Sequence, residues 1–141
     1  MTSSTPRFRS ERWLALLLRL AGVVMLLAIP AALMPTDWMQ AHHEWIGLGD
    51  FPRAPLTDYL ARSISLLYGI HGGLMLLVAG APRRYRAVIG YIAWTNMLFG
   101  ASMLAIDLYA GMPLLWTVGE GPPIFGMGLV FRLLLRGVPP A

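Results

Sequence analysis

Four long apolar runs alternate with short polar connectors along the 141 residues: Trp13 to Met34, Tyr59 to Ala81, Val88 to Tyr109 and Met112 to Leu135. Each is close to the ~20 apolar residues a helix needs to cross ~30 Å of hydrocarbon. Lipid offers no water to backbone N–H and C=O groups, so a spanning segment must be a helix or part of a closed barrel. The expected fold is therefore all-α: an integral membrane four-helix bundle. A single membrane domain is expected over residues 1–141, with spans at roughly 13–34, 58–81, 86–110 and 112–136.

Local signals refine the connectors. Residues 1–10 are polar and expected to be mobile, and Pro30 is expected to kink the far end of the first span. In the first long loop, Thr36 or Asp37 can cap a helix that carries Trp38, Met39, His42, Trp45 and Ile46 on one side. Gly47 and Gly49 end it, and Pro52 and Pro55 keep the rest of the loop extended. This predicts an amphipathic interfacial helix at roughly 36–46, with its tryptophans at headgroup depth. Thr57 suits the N-cap of the second span. The fourth is interrupted by Gly119-Glu120-Gly121-Pro122-Pro123, which predicts either a re-entrant piece followed by a half-span or one kinked helix.

Composition supports the membrane reading. The chain is 57% hydrophobic and 13% charged, against about 25% charged in a typical soluble domain. The net charge of +4 is dispersed over helix ends without interleaved aromatics, so nucleic acid is not an expected partner. Cysteine is absent, which excludes disulfides, thiolate nucleophiles and cysteine-held metals. Arg7, Arg9 and Arg12 precede the first run, Arg83, Arg84 and Arg86 lie between the second and third, and Arg132 and Arg136 close the fourth. Asp37, Glu44, Asp50, Asp58, Asp107 and Glu120 fall towards the other side, Glu11 being the exception. Positive residues favour the cytoplasmic side, so both termini are expected there. The basic start could open a signal peptide, but the apolar stretch runs past signal length and Pro30-Ala31-Ala32 is a poor cleavage site; an uncleaved first span is expected.

Ionisable and polar groups within spans are functional candidates by default: here Arg62, His71, Asn96, Asp107 and Glu120. At ~1.5 Å of rise per residue, Arg62, Asp107 and Glu120 share one shallow layer and could form a network, with Asp58 one turn from Arg62. Such a network is either an ion pair holding helices in register or a ligand or proton site. Asn96, Gly100, Met103 and Asp107 form one stripe on the third span. His71 lies near the centre of the second, either as a packing residue or as a proton, haem or quinone contact; no second histidine at suitable depth supports a bis-histidine haem. His42, His43 and Glu44 chelate poorly together, because consecutive histidines on a helix point about 100° apart, and a zinc site there would need partners such as Asp50 or Asp37; a water-facing polar side of the interfacial helix is expected instead. No metal and no cofactor is expected. Gly69, Gly72 and Gly73 allow close helix approach, within the chain or in a homo-oligomer or larger membrane complex.

The stretches Met34-Pro35-Thr36-Asp37-Trp38-Met39, His43-Glu44-Trp45-Ile46-Gly47-Leu48-Gly49, Tyr59-Leu60-Ala61-Arg62-Ser63 and Tyr68-Gly69-Ile70-His71-Gly72-Gly73 resemble small four-span bacterial membrane proteins that carry no assigned activity. In size alone the chain is also similar to DoxX-like proteins. The resemblance implies the four-span architecture and a bacterial inner-membrane setting, and transfers no functional residue.

No phosphate-binding glycine loop, nucleophile elbow or zinc-protease motif is present. The function expected is that of a non-enzymatic accessory or assembly partner in the membrane. The alternatives are a small proton-linked carrier using Arg62, Asp107, Glu120 and His71, and a membrane redox protein contacting quinone or haem.

Overall fold

A computed structural model describes residues 6–140, and every regular element among them is helical. The helices are α1 (Pro6–Leu26), α2 (Ala28–Ala32), α3 (Thr36–Trp45), α4 (Pro55–Ala79), α5 (Arg86–Ala110), α6 (Leu114–Gly119) and α7 (Gly121–Arg136). Four helical stretches are long and apolar enough to cross a membrane: Arg9–Ala32, Pro55–Ala79, Arg86–Ala110 and Leu114–Arg136. Large side chains on their outer faces are bare, among them Ile70 (71% exposed), Leu98 (71%) and Leu115 (74%). Water does not tolerate apolar surface on that scale, and lipid does. The chain is a multi-pass membrane protein of the all-α, four-span class.

Prolines and one glycine set the boundaries. Pro30 has no N–H for the Leu26 carbonyl, and α1 stops there; Leu27 turns back onto Val23 and Val24 before α2 resumes. The helix is thus interrupted where a kink was expected. Pro35 and Pro55 start α3 and α4, and no side-chain cap forms at Pro35. Thr36, Asp37 and Thr57 are therefore inside the helices rather than capping them, because proline's fixed φ already suits a helix start. The N-terminal segment is helical from Pro6, earlier than expected, and residues 1–5 lie outside the described residues. Gly111 adopts φ 67° and closes α5, with the Met112 N–H donating to the Asp107 carbonyl (3.0 Å). This six-to-one bond ends the helix in a Schellman turn. Pro113 then delays the next helix to Leu114.

The backbone contacts divide the chain into two compact units. One comprises residues 20–76. Here Gly22 and Gly72 meet backbone to backbone: a Cβ on Gly72 would lie 2.6 Å from the Gly22 carbonyl oxygen. Gly69 lies against Ile29, whereas Gly73 has open space at its Cβ position. Two of the three glycines singled out in α4 are thus occupied by α1 and α2. The loop after α3 is fastened to that helix by Gln40. Its amide donates to Glu44 and to Asp50 (3.0 Å) and accepts from the Phe51 N–H (2.8 Å). Phe51 is buried at its side, edge-on to His43.

The other unit comprises residues 1–19 and 77–141. Its core is Leu14, Leu18, Val78, Ile89, Ile92 and Phe131, each at most 1% exposed. The antiparallel helices α5 and α7 run so close that a Cβ on Gly100 would lie 2.6 Å from the Gly121 carbonyl oxygen. One on Gly128 would lie 2.6 Å from that of Ala93. Small residues permit this approach and the dispersion contacts that come with it. At the arginine-bearing end, Arg83 grips Glu11 through two nitrogens (2.8 and 2.9 Å). Arg86 donates to the carbonyls of Leu135 (2.9 Å), which also accepts from the Val138 N–H, and of Val138. Arg132 covers the Trp94 ring at 5.8 Å.

Candidate functional site

The polar stripe expected on α5 is present. Asn96, Gly100 and Asp107 face inward, with Asn96 6% and Asp107 2% exposed, while Met103 is half-buried. Their spacing of four and then seven residues keeps them on one helix face. Asp107 sits just before the Gly111 turn, and the Gly100–Gly121 contact holds the start of α7 against the same face. Between them falls Glu120, the one non-helical residue joining α6 to α7, at φ −104° and ψ −76°. The fourth span is therefore one helix broken at Glu120. Pro122 and Pro123 lack the N–H groups that would bond the Val118 and Gly119 carbonyls.

These constraints bring Asp107 and Glu120 within electrostatic range of each other, and the Trp116 side chain hydrogen-bonds the Glu120 carboxylate. The hydroxyl of buried Thr117, one turn before the break, is taken up by the Met112 (3.4 Å) and Pro113 (3.3 Å) carbonyls. One oxygen of each acid, Asp107 Oδ2 and Glu120 Oε2, is buried without a hydrogen-bond partner, and so is Asn96 Nδ2. Each such group costs about 1–3 kcal/mol. A buried carboxylate and a half-buried one thus belong to this helix break.

Arg62 belongs to the other unit, so the expected Arg62–Asp107–Glu120 grouping is divided between the two units. Its own partners are Asp58 (2.9 Å), one turn away on α4, and the Ala32 carbonyl (2.8 Å) at the end of α2. The guanidinium thus closes a helix terminus that would otherwise lack a donor there. His71 is half-buried on α4. His43 is turned to the Gly49 carbonyl (3.0 Å) and His42 lies against Trp45. Among the described residues no three His, Asp or Glu side chains converge as metal ligands would.

Three features were not foreseen from the sequence. Gln40 organises the loop after α3, Trp116 engages Glu120, and Arg86 caps α7. The glycines of the α5–α7 seam carried a readable signal: Gly121 and Gly128 are seven apart, two turns of one helix face. Comparison with protein-family models, curated proteins and solved structures finds no match.

Proposed function

We propose that this chain is a non-enzymatic accessory or assembly partner in a bacterial inner membrane, with both termini cytoplasmic. One observation carries the reading: Arg62 and Arg86 close helix ends, and Arg62 and Arg83 pair with neighbouring acids. They build a scaffold whose outer faces are apolar and available to lipid or to other spans. The helical glycines with nothing within 4 Å of a Cβ position, Gly73, Gly119 and Gly126, leave room for a further helix to approach.

In-membrane cross-linking followed by purification tests this. A discrete complex containing one recurrent membrane partner, or a defined homo-oligomer, is the expected result. A monomer that cross-links to nothing would refute it.

A second reading, a small proton-linked carrier, is favoured by the unpartnered oxygens of Asp107 and Glu120 beside a broken helix. Irregular backbone at membrane depth belongs where it is covered by protein or lines a cavity. Solute or proton flux in liposomes holding the purified protein alone, abolished by Glu120→Gln, is the result this reading requires.

A further inference from the structure

We infer that the Asp107 and Glu120 carboxylates together hold one singly charged cation, a proton or an alkali metal ion, at the end of α5 opposite its arginine-bearing start. The inference deepens the carrier reading and rests on its premise that this pair meets a ligand. It does not require transport.

Three observations point the same way. Asp107 is 2% exposed, and neither its Oδ2 nor the Oε2 of Glu120, whose neighbour Gly121 is packed on Gly100 and Leu104 of α5, finds a hydrogen-bond partner. Holding a buried negative charge near a second, half-buried one is costly unless a cation offsets them. Second, the side chain bonded to Glu120 is the Trp116 indole, a neutral donor. It orients one carboxylate oxygen but brings no charge. The other charged groups of α5 and α7, Arg86, Arg132 and Arg136, lie at the far helix ends, Arg86 about 30 Å from Asp107 along the axis. Third, the pair lies where α6 ends. A helix C-terminus carries partial negative charge, and Pro122 and Pro123 withhold donors from the last two carbonyls of α6. Discontinuous spanning helices use such ends to hold sodium ions or protons.

The stoichiometry is set by the donor atoms. A single proton on the pair turns one acid into a donor and removes one of the two negative charges. A bare alkali ion offsets the same charge by coordination. With no third His, Asp or Glu converging on them among the described residues, the pair lacks the donors a multivalent ion draws on.

Infrared difference spectroscopy of the purified full-length chain in lipid nanodiscs tests this. In one arm sodium replaces choline at constant pH and ionic strength; in the other, pH is varied in choline alone. The expected result is a carboxyl component that saturates in one of the two arms and disappears in both Asp107→Asn and Glu120→Gln. The sodium arm identifies an alkali ion, and the pH arm alone identifies a proton. Superimposable spectra of wild type and variants in both arms would overturn the inference. If Asp107→Asn does not fold, Glu120→Gln decides, since Glu120 is only half-buried. Binding without flux would end the carrier reading and leave this site standing.

Discussion

The α5–α7 seam makes opposite predictions for two glycines of α7. At Gly128 a Cβ would sit 2.6 Å from the Ala93 carbonyl oxygen and 2.9 Å from the Met97 backbone nitrogen. Comfortable heavy-atom separation is about 3.5 Å, so Gly128→Ala demands roughly 0.9 Å of movement between the helices. The obstructing atoms are backbone, and no rotamer change relieves them. Overpacking of this kind costs about 1–3 kcal/mol. Gly126 is in the same helix, with nothing within 4 Å of its Cβ position. Gly126→Ala there removes only glycine's entropic penalty, a gain of about 0.5–1 kcal/mol. Thermal unfolding of the two variants in the same detergent, followed by circular dichroism, should place Gly128→Ala below wild type and Gly126→Ala at or above it. Equal melting temperatures would refute the close backbone contact.

Individual bonds set further outcomes. Arg62→Met removes the donor to the Ala32 carbonyl and leaves Asp58 without its cation; a lower melting temperature is expected in the same melts, and an unchanged one would show that these bonds are not formed. Gln40→Ala releases the loop around Asp50 and Phe51 from α3; trypsin should then cut after Arg53 several-fold faster, and an unchanged rate would count against the clamp. Arg86→Met uncovers the Leu135 and Val138 carbonyls; hydrogen exchange in the last turn of α7 should quicken while that of Phe131 stays slow, and uniform exchange would contradict the capping role.

The architecture was readable because its causes are local. Apolar length sets the spans, and proline sets their starts and breaks: Pro30, Pro35, Pro55 and Pro122 each act within one helical turn of their own position. The Asn96–Asp107 stripe was readable for the same reason, since helix periodicity alone puts those residues on one face. Proline also defeated the capping expectations, for a threonine signals an N-cap only when no proline precedes it with the helix dihedral already set. The features that could not be read depend on which helix meets which. Glu11 stood out as an acid on a basic side until Arg83, 72 residues later, proved to be its partner. Arg62 shares an expected depth with Asp107, but depth alone does not name a partner; the bonds it makes within its own unit go to Asp58 and Ala32. Gln40 gave no periodic signal because an amide that joins a helix to its own loop acts through a few hydrogen bonds at one position.

The central claim is that the chain crosses a bilayer four times, with the α4–α5 connector on one side and both the α3 loop and the Gly111 turn on the other. The native chain has no cysteine, so single substitutions report cleanly. Leu48→Cys and Met112→Cys should react with a membrane-impermeant maleimide in intact cells, and Arg84→Cys only after the membrane is opened. Labelling of Arg84→Cys in intact cells, or of Leu48→Cys and Met112→Cys from opposite sides, would contradict the four-span arrangement with its arginine-bearing end inside.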